Sequence, residues 1–84
     1  PPYPNPTRGA VHLRFQLPSK GRYRLAVLNS LGQVAALFEK EVPGLGWEEV
    51  VWEGPEGGGL YFVRLLWTDG RRSVFSTQSF LRLE

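Results

Sequence analysis

One stretch constrains the fold more than any other, because it is the most β-prone run of the chain and leads directly into a hairpin signal. Leu60–Trp67 is aromatic and β-branched, contains no breaker and follows three glycines, Gly57-Gly58-Gly59. Asp69-Gly70 separates it from a second β-prone run, Ser73–Leu83. We therefore expect a central strand paired with the last strand of the chain, and the upstream segments packed against this hairpin.

Upstream segments also predict strands, because apolar and polar side chains alternate along them or because they are short and bounded by turn residues. These segments are Ala10–Leu17, Arg22–Asn29, Gln33–Glu41 and Trp47–Glu53. Val34–Phe38 has a rival helical interpretation, since alanine and leucine favour helices, but its shortness and flanking turns favour a strand. The pattern predicts an all-β fold, a small immunoglobulin-like antiparallel β-sandwich of six to seven strands.

The 84 residues fit a single domain. Four prolines among the first six residues exclude a helix there, so we expect residues 1–9 to form a proline-rich linker or first edge segment and residues 10–84 to form the sandwich. No apolar run approaches the roughly 20 residues of a membrane helix, so no membrane span is expected. Because the chain lacks methionine even at position 1, we expect it to be a piece of a longer protein.

The sequence offers little material for catalysis or for metal binding. It has no cysteine, and its only histidine, His12, points outward on an alternating strand without an assignable partner. Asp69, the only aspartate, belongs to a turn, and the glutamates fit exposed strand positions. A net charge of +2 without a basic cluster is too weak for a nucleic-acid footprint. We expect a protein that is not an enzyme, with no cofactor, no metal and no nucleic-acid partner.

Three tryptophans allow a second interpretation, since flat exposed aromatic rings stack on sugars in carbohydrate-binding sandwiches. Trp52 shares its face with Val50 and is expected in the core. Trp47 and Trp67 lie near strand ends, a position that permits partial exposure; the alternative is that all three rings fill the core. A carbohydrate-binding accessory domain is therefore one candidate function, with a carbohydrate as its partner.

Three short motifs occur along the chain in the following order: Tyr3-Pro4-Asn5-Pro6, Asn29-Ser30-Leu31-Gly32-Gln33-Val34 and Gly59-Leu60-Tyr61-Phe62-Val63-Arg64. Together they resemble the C-terminal sorting domain (type A) of proteins exported by the type IX secretion system of Bacteroidetes and their relatives, over essentially the whole chain. The chain departs from the family at Asn29, where aspartate is usual, and in a less basic last strand. Val50-Val51-Trp52-Glu53-Gly54 is similar to the Trp-Asp-Gly signature of a sister family, the Ig-like domain of the flagellar hook-capping protein.

The sorting-domain resemblance implies a non-catalytic sorting and anchoring module. Such a module directs an upstream cargo domain of the same chain from the periplasm, through the secretion translocon and its sorting machinery, to the cell surface or the medium. The implied recognition residues are Tyr3, Pro4, Asn5, Pro6, Leu31, Gly32, Gly59, Tyr61, Phe62, Phe80, Leu81, Arg82, Leu83 and Glu84. The sister family implies instead a structural spacer or assembly module.

A signal carried by a folded domain is read from its surface, and an edge strand offers unpaired backbone groups for strand addition. We therefore expect Ser73–Glu84 to be the recognised element and the proline-rich start to be the junction with the cargo. Deleting the last few residues is expected to abolish export and to leave the fold largely intact.

Overall fold

The computed structural model describes residues 7–54 and 58–83, which form seven β-strands and contain no helix. The strands are β1 (Thr7–Arg8), β2 (Val11–Leu17), β3 (Gly21–Asn29), β4 (Val34–Val42), β5 (Gly46–Trp52), β6 (Gly59–Thr68) and β7 (Ser73–Leu83). The predicted all-β class is confirmed, and each strand predicted from the sequence is present to within one residue at either end.

The strands form two sheets. A five-stranded sheet has the order β1-β7-β6-β3-β4, and β2 pairs with β5 in a two-stranded sheet. Every pairing is antiparallel except that of the short β1, which runs parallel to the end of β7 with Thr7 opposite Arg82. β6 is the middle strand of the larger sheet, as predicted, and the predicted β6–β7 hairpin is also confirmed. Residues 69–72 connect its two strands, so the loop is longer than a two-residue turn.

The core lies between the two sheets and follows from the alternation in the sequence. On β2, residues 11, 13, 15 and 17 are buried whereas residues 12, 14 and 16 are exposed. Completely buried side chains such as Leu13 and Leu25 each contribute about 2–3 kcal/mol of transfer free energy. The buried side chains that join the two sheets are Val11, Leu13, Phe15, Leu17, Tyr23, Leu25, Val27, Val42, Val50, Trp52, Tyr61, Val63, Trp67 and Phe80.

Trp67 belongs to the core, because its position near a strand end does not expose it. The side chain is only 1% exposed, since it points inward on β6 beneath the turn between β2 and β3. Its indole N–H donates to the Ser19 carbonyl oxygen at 3.2 Å, which satisfies the buried donor. Gly21 leaves the necessary room, because a Cβ there would lie 2.6 Å from the indole nitrogen.

Candidate recognition surface

Several motif residues lie inside the sandwich and not on its surface. Tyr61 and Phe80 lie opposite each other on β6 and β7, with ring centroids 5.7 Å apart, and both rings contact Trp52 edge-on. The Arg82 side chain is 7% exposed and places its guanidinium carbon 5.5 Å from the centre of the Trp52 ring. These four residues, the aromatic cluster, join the end of β7 to the second sheet.

The segment after β5 is shaped to receive Arg82. Arg82 donates from Nη2 to the Glu53 carbonyl oxygen at 2.6 Å. Gly54 has a positive φ of 67°, and a Cβ there would lie 2.8 Å from Nη1 of Arg82 and equally close to the Trp52 ring. The Trp52-Glu53-Gly54 motif therefore serves to hold the last strand in place.

The middle motif builds the turn between β3 and β4. The Asn29 side-chain oxygen accepts hydrogen bonds from the backbone N–H of Leu31 at 3.0 Å and of Gln33 at 2.9 Å. Gly32 has a positive φ of 82°, a conformation that glycine adopts in such turns. Asparagine supplies the same side-chain acceptor as the aspartate that is usual in the sorting domains this motif resembles, so the turn forms with asparagine. Leu31 points out from the turn and is exposed.

The outer face of the five-stranded sheet carries an apolar group that we call the outer patch: Leu28, Val34, Leu60, Phe62 and Leu81. Cross-strand pairing places Phe62 opposite Leu28, and Leu60 opposite Leu81. Leu28 is buried and Phe62 is half-buried, whereas the other three are exposed. The outer patch thus contains two of the implied recognition residues, Phe62 and Leu81, on a surface that a partner can reach.

The remaining implied recognition residues fall elsewhere. Tyr3, Pro4, Asn5, Pro6 and Glu84 lie outside the described residues. Gly59 begins β6, and Leu83 is half-buried at the end of β7. Because Phe80 and Arg82 are core side chains, a deletion that reaches residue 80 removes packing, so it is not expected to leave the fold intact.

Among the residues that the structure describes, the first two-thirds of β7 forms an open edge. Within the described ranges, no strand lies beside Ser73–Ser79 on the side away from β6, since β1 pairs only with Arg82 and Leu83. This segment carries no charged residue, and its side chains Val74 and Phe75 are exposed. Its pairing with β6 runs without a register shift. An uncharged, regular and exposed edge is what strand addition requires.

The opposite edge, β4, is protected along its length. Its first half contains a register shift, where Leu28 pairs with Val34 and Val27 with Ala36. Its second half carries Glu39, Lys40 and Glu41, which form ion pairs with Arg24, Glu48 and Arg22 respectively. The bulge and the charges are both devices by which natural sheets discourage edge pairing.

Three groups on the described strands and turns have perturbed acidity. The pKa of Tyr23 is raised, first by burial and then by the nearby Glu48 carboxylate. The pKa of Lys40 is raised, chiefly because it donates a hydrogen bond to Glu48 at 3.1 Å. The pKa of Asp69 is lowered, because its carboxylate accepts backbone hydrogen bonds from Arg72 and Arg71. Each cause is a contact that closes the sandwich or a turn.

The outer face of the second sheet carries Trp47, which is exposed as the sequence suggested. The Arg14 guanidinium lies 5.5 Å from the Trp47 ring centre. His12 is exposed, as expected, and the structure adds the partner that the sequence did not reveal, the Glu49 carboxylate at 2.8 Å from Nδ1. No strand of the described part of the chain covers this face.

A depression lies at the end of the sandwich where three turns meet, lined by residues that include Lys20, Arg22, Glu41 and Asp69. Arg22 and Glu41 are paired at 3.2 Å, and Asp69 is bonded within its own turn. Across residues 7–54 and 58–83, no three His, Cys, Asp or Glu side chains cluster as a metal site requires.

No model of a known protein family matches the chain, and no curated protein matches it. Among the described residues, the structure contains no helix with the length and apolar character needed to cross a membrane.

Proposed function

We propose that the chain is a non-catalytic sorting module that directs an upstream cargo domain through the type IX secretion system to the cell surface or the medium. The observation that carries this proposal is the open edge of β7 at Ser73–Ser79. A protein of the sorting machinery adds an extended segment along this edge, and main-chain hydrogen bonds supply most of the affinity.

Side chains beside the edge supply the specificity. Val74 and Phe75 point to opposite faces of the sheet, and both are exposed. The outer patch lies on the same face as Phe75, toward the other end of β7, and adds apolar area for the partner. The edge, with these side chains, replaces Phe80 and Arg82 as the surface read by the partner, since those two residues are buried.

A fusion experiment tests the proposal. Residues 1–84 are joined to the C-terminus of a fluorescent reporter that carries a signal peptide, in a bacterium with a working type IX system. The same fusion is expressed in a strain that lacks the outer-membrane translocon. We expect the reporter on the surface or in the medium only when the translocon is present. Retention of the folded fusion in the periplasm of both strains contradicts the proposal.

A structural spacer or assembly module of the hook-capping type is the alternative, and Trp52-Glu53-Gly54 supports it by resemblance. In this chain, Trp52 and Glu53 contact Arg82, and Gly54 leaves room for its side chain. The motif is therefore explained by its role in the fold and does not point to a particular partner. Periplasmic retention of the folded fusion favours this alternative.

A further inference from the structure

We propose that the outer face of the β2–β5 sheet is a carbohydrate-binding platform centred on Trp47. The Trp47 side chain is 62% exposed, whereas Trp52 and Trp67 are buried. An indole left in water forgoes the stabilisation that burial of its apolar surface provides, and the chain does not use the ring for its own core. This site lies on the sheet opposite β7, so it is independent of the sorting function.

Hydrogen-bonding side chains lie in ordered pairs beside the ring. Gln16 lies directly opposite Trp47 across the strands, and Arg14 lies opposite Glu49. The Glu49 carboxylate contacts His12 Nδ1 at 2.8 Å and Arg14 Nε at 3.9 Å. The Arg14 guanidinium lies over one face of the indole ring, so a sugar packs on the other face or displaces this side chain. These contacts hold donors and acceptors next to an aromatic surface.

The chemistry of this face fits a neutral sugar. A pyranose ring has a face of C–H groups, which packs on the electron-rich face of an indole, and a rim of hydroxyls that both donate and accept hydrogen bonds. Gln16 and Arg14 supply donors, and Gln16 and Glu49 supply acceptors. The opposite charges of Arg14 and Glu49 lie close together, so the platform offers no net charge for an anionic polymer.

A protein partner fits this face less well than a glycan does. The centres of protein interfaces are apolar and depleted of charge. Besides Trp47, the outward side chains of β2 and β5 include one apolar residue, Val51, and the others are polar or charged.

The test uses tryptophan fluorescence, because Trp47 is the exposed one of the three indoles. The chain is titrated with neutral oligosaccharides built from glucose, mannose, xylose, galactose and N-acetylglucosamine. We expect at least one of them to shift the emission to shorter wavelength and to protect the ring from acrylamide quenching. The absence of both effects with every oligosaccharide overturns the proposal.

Variants then show where the sugar binds. Their affinity is measured by calorimetry, because Trp47→Ala removes the fluorescent side chain that reports binding. Trp47→Ala is expected to weaken binding about tenfold or more, and Arg14→Ala to weaken it less. Leu37→Ala is the control, since this apolar residue is 51% exposed on the other sheet, and its affinity should equal that of the unchanged chain. Unchanged sugar affinity of Trp47→Ala overturns the proposed carbohydrate-binding platform. A reporter fusion that carries Trp47→Ala should be exported normally.

Discussion

β4 and β7 are opposite edges of one sheet, yet their exposed surfaces are built differently. One row of the outer face runs from Glu39 on β4 through Arg24 and Leu66 to Phe75 on β7. At the β4 end, Arg24 and Glu39 form an ion pair at 3.1 Å. At the β7 end, an aromatic ring is 61% exposed. The same sheet therefore ends in charge on one side and in apolar surface on the other.

The difference between the two edges indicates where we propose that a partner binds. A bulge and a run of charges make β4 a poor template for another strand, and the Lys40–Glu48 ion pair also ties it to the second sheet. None of these devices is found along Ser73–Ser79. Because exposed regular edges promote unwanted pairing, we infer that β7 is left open for a function.

The two ends of β7 are themselves unequal, and this contrast predicts the largest effect. Phe80→Ala is expected to lower the free energy of unfolding by about 3–5 kcal/mol, because the ring is fully buried in the aromatic cluster. Phe75→Ala is expected to change it by less than about 0.5 kcal/mol. Urea denaturation measures both. Equal losses for the two variants contradict the division of β7 into an anchored end and an open end.

The anchoring of β7 by Arg82 gives the next largest effect. Gly54→Ala is expected to destabilise the fold by about 1–3 kcal/mol, because alanine is strained at the positive φ of this position. A further loss is expected because the added Cβ displaces the Arg82 guanidinium. Gly70→Ala is the matched control, since Gly70 also has a positive φ but open space around its Cα. Thermal or urea unfolding should show that Gly54→Ala lowers the free energy of unfolding much more than Gly70→Ala does. The reverse order excludes the anchoring role.

Removing the charged side chains of β4 should allow this edge to pair with another copy of the chain. The triple variant Glu39→Thr, Lys40→Val and Glu41→Thr removes the charges, at a cost in stability of less than about 1 kcal/mol for each exposed ion pair. We expect sedimentation velocity to show association that grows with concentration, beyond that of the unchanged chain. If the variant associates no more than the unchanged chain, the charges do not protect the edge.

The smallest expected effect concerns the turns that lead into the two edges. The pKa of Asp69 is lowered by backbone N–H groups of Arg72 and Arg71, so its contribution to stability is present at neutral pH. That contribution is lost in acid, as the pH falls below the ordinary pKa of 3.8 and through the lowered pKa of the folded state, because the protonated carboxyl is a weaker hydrogen-bond acceptor. We expect lower amide-exchange protection factors, corrected for the intrinsic exchange rate at each pH, at residues 71 and 72 in acid. The Asn29 turn, whose acceptor does not titrate, is the control, and equal acid sensitivity of both turns contradicts this assignment.

Strands and faces were predictable because they depend on local alternation. The period of two along β2 and β3 fixes which side chains point inward, whatever the neighbouring strand is. The hairpin at Asp69-Gly70 and the positive φ of Gly32 follow from turn chemistry in the same way.

What the sequence did not reveal depends on contacts between distant segments. Trp67 is buried because a turn 48 residues earlier covers it. Arg82 is buried because a carbonyl and a ring 29 or more residues away receive it. The contrast between the two edges also needs the strand order, since the sequence of β7 alone does not say what lies beside it.

The most direct test of the account compares one substitution on each edge in the export fusion. Phe75→Lys places a charge on the open edge, and Leu37→Lys places the same charge at a residue 51% exposed on β4. Both variants should fold as the unchanged chain does, by circular dichroism. We expect Phe75→Lys to abolish translocon-dependent export and Leu37→Lys to be exported normally. Normal export of Phe75→Lys, or equal loss in both variants, would contradict recognition at β7.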